Sequence, residues 1–253
     1  MGNKLPTDLL RYPTDSIVSL VPSLTELLYY LDVNAQIKGI TKFCELPEIK
    51  IPRPIIVGGT KNPHLKRIQA LDPELIIANR EENRQEDIIS LDSDDKLIWV
   101  TDINDISENI LFIRSLGELL QNSRAEPLAA EMERIYSDVQ NTLYPSSVAY
   151  LIWQEPYMVV ANNTFINSML AASGFFNVFG DQERYPVTTL GEIIELAPQK
   201  IFLSSEPYPF NEAHLSNFES NFPTSEIKLV DGKMFSWYGS RPLLAKKYFE
   251  TLT

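Results

Sequence analysis

Ile106-Ser107-Glu108-Asn109-Ile110-Leu111-Phe112-Ile113-Arg114-Ser115-Leu116-Gly117-Glu118-Leu119-Leu120, in the middle of the chain, decides the fold. Ile106, Ile110, Ile113, Leu116, Leu119 and Leu120 recur at helical spacing, so one face of a helix is apolar. After a short break at Asn122-Ser123, where Ser123 can cap, a second long helix is expected over Arg124 to Leu143. No strand-like pattern interrupts the whole stretch. It reads either as two surface helices of one sheet or, the preferred sense, as a rigid spine joining two lobes.

The residues before it alternate. Ile17–Val21 is a short apolar run expected as a buried strand, and Ser23 with Glu26 three residues on forms a capping box for a helix from Leu24 to Leu31. Strands follow at Ile37–Thr41, Leu75–Ala78 and Lys96–Thr101. Helices follow at Pro63–Leu71, with proline in the first turn, and at Arg84–Leu91. Strands alternating with short helices indicate a mostly parallel sheet.

The residues after it replay the first half. Val148–Trp153 is a strand, Thr164 caps a helix running to Ala172, and Gly174 is its C-terminal glycine. The phrase Ile68-Gln69-Ala70-Leu71-Asp72-Pro73-Glu74-Leu75-Ile76-Ile77 returns as Ile193-Ile194-Glu195-Leu196-Ala197-Pro198-Gln199-Lys200-Ile201-Phe202, a helix stopped by proline and followed by a strand. The capped helix after Ser23 likewise recurs after Thr164, and two such repeats in the same order favour a pseudo-duplicated α/β molecule of two Rossmann-like lobes with mostly parallel sheets joined by a single long helix. The expected bounds are an N-terminal lobe over 1–104, a helical segment over 105–144 and a C-terminal lobe over 145–253. A cleft between lobes is a preferred place for a small ligand.

The chain has 253 residues, 44% of them hydrophobic and 22% charged, which suits a globular protein with a sizeable core. A formal net charge of −12 repels phosphate backbones and anionic lipid, so nucleic acid is not an expected partner. One cysteine, Cys44, excludes an internal disulfide. The two histidines, His64 and His214, fall in different halves, and no direct metal site is expected. There is no run long enough to cross a bilayer, and Met1–Asp15 carries no leader-like apolar stretch. The expectation is a cytoplasmic protein as given, or a periplasmic or lipid-anchored one if a leader has been removed.

Several phrases carry a family likeness. Ile17-Val18-Ser19-Leu20-Val21-Pro22-Ser23-Leu24-Thr25-Glu26-Leu27, Val57-Gly58-Gly59-Thr60 with Leu65-Lys66-Arg67-Ile68 and Leu71-Asp72-Pro73-Glu74-Leu75, the Asn167-Ser168-Met169-Leu170 helix and the Ser240-Arg241-Pro242 region come in a telling order. In that order, with the central helix, the chain resembles the helical-backbone (class III) periplasmic binding proteins, which serve ABC importers of vitamin B12, haem or iron–siderophore complexes. The cobalamin-binding members are the nearest in character. The resemblance implies a solute-binding protein, not an enzyme, with no cofactor of its own and a corrinoid, haem or metal chelate as ligand. It aligns Thr60 with a tryptophan and Phe43 with a tyrosine of the cobalamin pocket. It also implies docking on a permease through one surface glutamate per lobe. Lys66 and Phe176 stand at those positions here, which argues against the usual permease contact unless Glu45, Glu48 or Glu183 substitutes.

Ligand contacts in such folds come from loops at the C-terminal ends of strands. Those loops hold Phe43, Gly59, Thr60, Lys61, Asn62, Arg80 and Glu82 in the first half. Trp153, Tyr157, Tyr208, Trp237, Tyr238 and Arg241 occupy the corresponding loops of the second half. The aromatic rings suit a flat macrocycle, although aromatics also fill seams between lobes. The Gly58–Asn62 turn can offer backbone amides to an anion or can be a structural turn. Arg241 can grip a carboxylate or pair with a neighbouring acid, and the charges from Arg80 to Arg84 can meet a ligand or solvate a helix start. Two other functions remain open. One is an enzyme on the same scaffold using Glu81, Glu82, Glu155 or Asp231, and the other is a sensor contacting a protein through Phe175 and Phe176.

Overall fold

The computed structural model describes residues 14–45, 53–92, 96–137 and 145–252. Contacts divide the chain into two compact units. The first takes in residues through Ile103, Ser107–Met132 and Tyr238–Arg241; the second takes in Asn104–Ile106, Glu133–Trp237 and Pro242–Thr253.

The first unit is built on a five-stranded sheet in the order β3-β2-β1-β4-β5, parallel at every pairing. Its strands are β1 (Ile17–Ser19), β2 (Ile37–Ile40), β3 (Ile55–Ile56), β4 (Leu75–Asn79) and β5 (Leu97–Thr101). Helices α1 (Pro22–Tyr30), α2 (Leu65–Ala70) and α3 (Gln85–Leu91) connect them. The central strands β1 and β4 are buried at every residue, which is why they read as unbroken apolar runs and not as alternating ones. Val18, Leu20, Val57, Ile68, Ile76, Ala78 and Leu91 form one core cluster. Each of the larger members contributes about 1.5–3 kcal/mol by leaving water.

Two starts differ from the sequence expectation. The Ser23–Glu26 capping box does not form, because α1 begins two residues earlier, with Val21 in the cap position and Pro22 in the first turn. Proline supplies the preset φ and lacks the N–H that a cap would have to satisfy. Glu26 is thereby free of the backbone and turns to Arg241. Likewise α2 begins at Leu65 with His64 as its cap, while Pro63 lies outside, bridged to Gly58.

The central stretch forms α4 (Ile106–Leu119) and α5 (Ala125–Tyr136), separated by a turn in which the Asn122 side chain accepts from the Arg124 amide at 3.0 Å. The end of the helix expected to reach Leu143 lies outside the described residues. The boundary between the units falls within α5, after Met132.

The second unit has a six-stranded sheet ordered β11-β10-β6-β7-β9, with β8 also paired to β6. The strands are β6 (Ser146–Trp153), β7 (Tyr157–Val159), β8 (Phe175–Asn177), β9 (Val187–Thr188), β10 (Lys200–Ser204) and β11 (Glu226–Val230). The helices are α6 (Phe165–Ala172), α7 (Leu190–Leu196), α8 (Glu212–Asn221), α9 (Lys233–Ser236) and α10 (Pro242–Phe249). The parallel set β8-β6-β10-β11 repeats the order β2-β1-β4-β5 of the first sheet, whereas β7 and β9 pair antiparallel and have no counterpart there. Thr164 caps α6 by accepting from the Asn167 amide, and Gly174 follows the helix at φ 82°, both as expected. Helix α7 ends on Ala197 in the left-handed region, at φ 45° and ψ 55°.

Candidate functional site

Because β1, β2, β4 and β5 run parallel, their C-terminal ends share one edge of the first unit. The loops that leave them are tied together by two buried asparagines. The Asn79 side chain accepts from the amides of Glu81 at 2.8 Å and Glu82 at 3.2 Å, and donates to Thr101 Oγ1 at 3.1 Å. Asn83 Oδ1 accepts from the Asn79 amide at 2.8 Å, and its Nδ2 donates to the carbonyls of Leu20 at 3.3 Å and Thr60 at 3.0 Å. Side-chain amides suit this task, since each carries both a donor and an acceptor. One network thus holds the Arg80–Asn83 loop against the end of β1, the Gly58–Asn62 turn and β5.

Within that turn Gly58 sits at φ 107°, a region closed to most side chains. A Cβ on Gly59 would lie 2.3 Å from Asn62 Oδ1 and 3.4 Å from Phe43, so the turn packs tightly beside that ring. Phe43 itself is 54% exposed, with Lys42 Nζ 5.0 Å above its ring. Lys61 donates to the Glu81 carbonyl, and Arg80 pairs with Asp102 at 2.7 Å. Cys44, whose Sγ lies 3.1 Å from Thr25 Oγ1 and 3.3 Å from Thr41 Oγ1, has its thiol pushed upward in pKa by burial against the pull of those hydroxyls.

Residues 238–241 complete this edge. Asn109, fully buried, accepts from the Gly239 amide at 2.7 Å and donates to its carbonyl at 3.1 Å. Gly239 is at φ 88°, and a Cβ there would meet Leu27 and the Ser23 carbonyl at 3.1 and 3.2 Å. The tie presents Tyr238 and Arg241. Tyr238 is 5% exposed, and burial holds its hydroxyl well above the usual range, with the Glu82 and Glu81 charges adding to the shift. Arg241 pairs with Glu26 and lies 3.9 Å from Glu45. Burial raises the Glu26 carboxyl, and Arg241 and Ser240 oppose the rise. Of its expected alternatives, then, Arg241 shows the acid pairing.

In the second unit, Trp153, the last residue of β6, and Tyr208, in the loop after β10, meet edge to face at 5.6 Å. Trp153 is 40% exposed. Tyr157 instead packs on Phe218 and the unit's core. Trp237 is buried, with Lys233 Nζ 5.4 Å from its ring. Glu206 accepts from Ser236 Oγ at 2.6 Å, and burial raises its carboxyl against the hydrogen bonds from Ser236 and Trp237 and the Lys233 charge. Among the described residues no group of three His, Cys, Asp or Glu side chains is placed to hold a metal. Neither Glu26 nor Glu206 was singled out from the sequence as a site residue. Their partners lie 215 and 30 residues away, and no local pattern signals such pairs.

Comparison with known proteins settles the family. The sequence profile described as periplasmic binding protein matches residues 17–226. The chain belongs to that family. This periplasmic binding protein is 23% identical over 200 residues to the vitamin B12-binding protein of Vibrio cholerae, covering 76% of this chain and 71% of the relative. A possible iron-binding, periplasmic solute-binding protein of Staphylococcus epidermidis superposes with a TM-score of 0.79 at 21% identity, covering 95% and 98% of the two chains. The periplasmic heme-binding protein of Vibrio cholerae superposes at 0.78 with 18% identity, covering 94% and 98%. At those identities the two structures speak for the fold. The family is one of solute-binding proteins and not of enzymes. No helix among the described residues is long and apolar enough to cross a membrane.

Proposed function

We propose that this chain is a solute receptor of ABC-type import whose ligand is a corrinoid, haem or other metal chelate. The supporting observation is the family match, which runs without interruption from β1 to the first residue of β11 and so covers both sheets. In the first unit the proposed contacts are Phe43, Gly59, Thr60, Lys61, Asn62, Arg80, Glu82, Tyr238 and Arg241. In the second they are Trp153, Tyr157, Tyr208 and Trp237. Phe43 and Trp153 rank first because their rings are the most exposed of the aromatic set. The proposal includes α5 as the connecting helix, since the chain passes from one unit to the other within it. The periplasmic setting named for the two structural relatives favours the same setting here over a cytoplasmic one.

Lys66, exposed on α2, and Phe176, 58% exposed on β8, offer a cation and an apolar ring at the positions where the resemblance places docking carboxylates. A permease presenting arginines would be repelled at Lys66. Docking is therefore assigned to other carboxylates, of which Glu45 and Glu183 are described and Glu48 lies outside the described residues.

Titration with cyanocobalamin, haemin and a ferric siderophore, followed by tryptophan fluorescence, tests the proposal. Saturable quenching with a Kd at or below about 10 µM is expected for at least one of them. A flat response to all three up to about 100 µM overturns it. Phe43→Ala and Trp153→Ala should each weaken binding by about 2–10-fold while leaving the melting temperature unchanged, because a good aromatic contact is worth about 0.5–1.5 kcal/mol beyond area burial.

A further inference from the structure

His214 stands at the third position of α8, and both of its ring nitrogens are engaged. Nδ1 accepts from the Asn211 amide at 3.1 Å, closing the helix's capping box, in which the Asn211 side chain accepts in return. Nε2 lies 3.2 Å from the hydroxyl of Tyr208. Rings of Tyr208 and Phe210 hold the imidazole edge-on, at centroid distances of 5.5 and 5.3 Å.

The chemistry of imidazole then fixes a direction. A backbone amide can only donate, so Nδ1 carries a lone pair. A neutral imidazole with a bare Nδ1 carries its proton on Nε2 and donates there. The Tyr208 oxygen must accept that proton, which leaves the phenol's own hydrogen uncommitted. Tyr208 is half-buried beside the exposed Trp153, in the loop that follows β10, and makes no other side-chain hydrogen bond among the described residues.

We infer that His214 is a positioning residue that sets Tyr208 as a hydrogen-bond donor toward the ligand, so that the ligand group opposite it is an oxygen acceptor (a carboxylate, amide carbonyl or phosphate oxygen) and not a donor. This rests on the proposal that Tyr208 touches the ligand. It assigns to the helix cap a second task, in which the residue that starts α8 also selects the polarity of a neighbouring contact.

Two substitutions separate the tasks. His214→Gln keeps an acceptor for the Asn211 amide and a donor for Tyr208, so polarity is preserved. His214→Glu keeps the cap but offers only acceptors, so Tyr208 must spend its hydrogen inward. With whichever of haemin and cyanocobalamin quenches the wild type, His214→Gln should bind within about 2-fold, and His214→Glu and Tyr208→Phe should each bind about 3–10-fold more weakly. In a Tyr208→Phe background, His214→Glu should cost nothing further. Long-range nitrogen–proton NMR at about pH 8, resolved easily with only two histidines in the chain, should show the His214 proton on Nε2. A proton on Nδ1 overturns the inference whatever binds, as does a Tyr208→Phe variant with wild-type affinity. If neither probe binds the wild type, the polarity stands or falls on the nitrogen signals alone, and the receptor proposal fails only if the ferric siderophore is refused as well.

Discussion

Glu26 and Arg241 show how a single residue reading changes once the fold is known. In the sequence, Glu26 completes a capping box and Arg241 is open either to a ligand's acid or to a neighbouring one; in the folded chain each is the other's partner across 215 residues. Their side chains are 26% and 13% exposed, so the pair is only partly solvated. Removing the cation by Arg241→Ala leaves a half-buried carboxylate, and destabilisation of about 1–3 kcal/mol is expected in urea unfolding at pH 7. The loss should shrink at pH 4, where Glu26 takes up a proton. Glu206 has the same sign. Burial raises its folded pKa above the unfolded value, so its contribution to stability is fully present below about pH 4.5 and is lost as pH rises through the folded value. Glu206→Gln should therefore reduce the stability gained between pH 7 and pH 4.5, measured as the difference in melting temperature; an unchanged difference would show that Glu206 titrates normally. Asn79 was invisible as a hub because its role depends on loops from three strands meeting at one edge, which no spacing encodes.

At the scale of elements, the sequence was most legible where burial imposes a pattern. Strands β1, β4, β6 and β10 read as apolar runs because packed faces on both sides demand them. Helix α6 was legible down to its caps, since Thr164 and Gly174 are the residue types that satisfy helix ends. By contrast β3, β7, β8 and β9 have two or three residues each, too few to display any period. At the start of α1 two local signals compete, and the proline overrides the side-chain box. Helix α7 carries a further test. Ala197 is exposed and left-handed at the cap, a conformation costing a Cβ-bearing residue about 1 kcal/mol relative to glycine. Ala197→Gly should thus raise stability by about 0.5–1 kcal/mol in chemical denaturation, and a loss of stability would show that the cap is not left-handed in solution.

For the whole molecule, the repeated strand order is the feature that the sequence carried furthest. The helix–proline–strand phrase at Ile68–Ile77 and again at Ile193–Phe202 leads into β4 and β10, which hold equivalent places beside β1 and β6. A duplicated α/β plan follows from that equivalence, and the shared parallel order β2-β1-β4-β5 and β8-β6-β10-β11 agrees with it. What the duplication did not reveal is the antiparallel addition of β7 and β9 to one sheet only, which gives the second unit its own strand-end loops. Loop chemistry departs from backbone plan in this way because the strands answer to the core and the loops to a ligand. The most direct test of the receptor assignment is native mass spectrometry of the purified chain with cyanocobalamin, haemin and a ferric siderophore. A saturating complex of one ligand per chain with at least one of them is predicted, and a chain that stays bare in the presence of all three would contradict it.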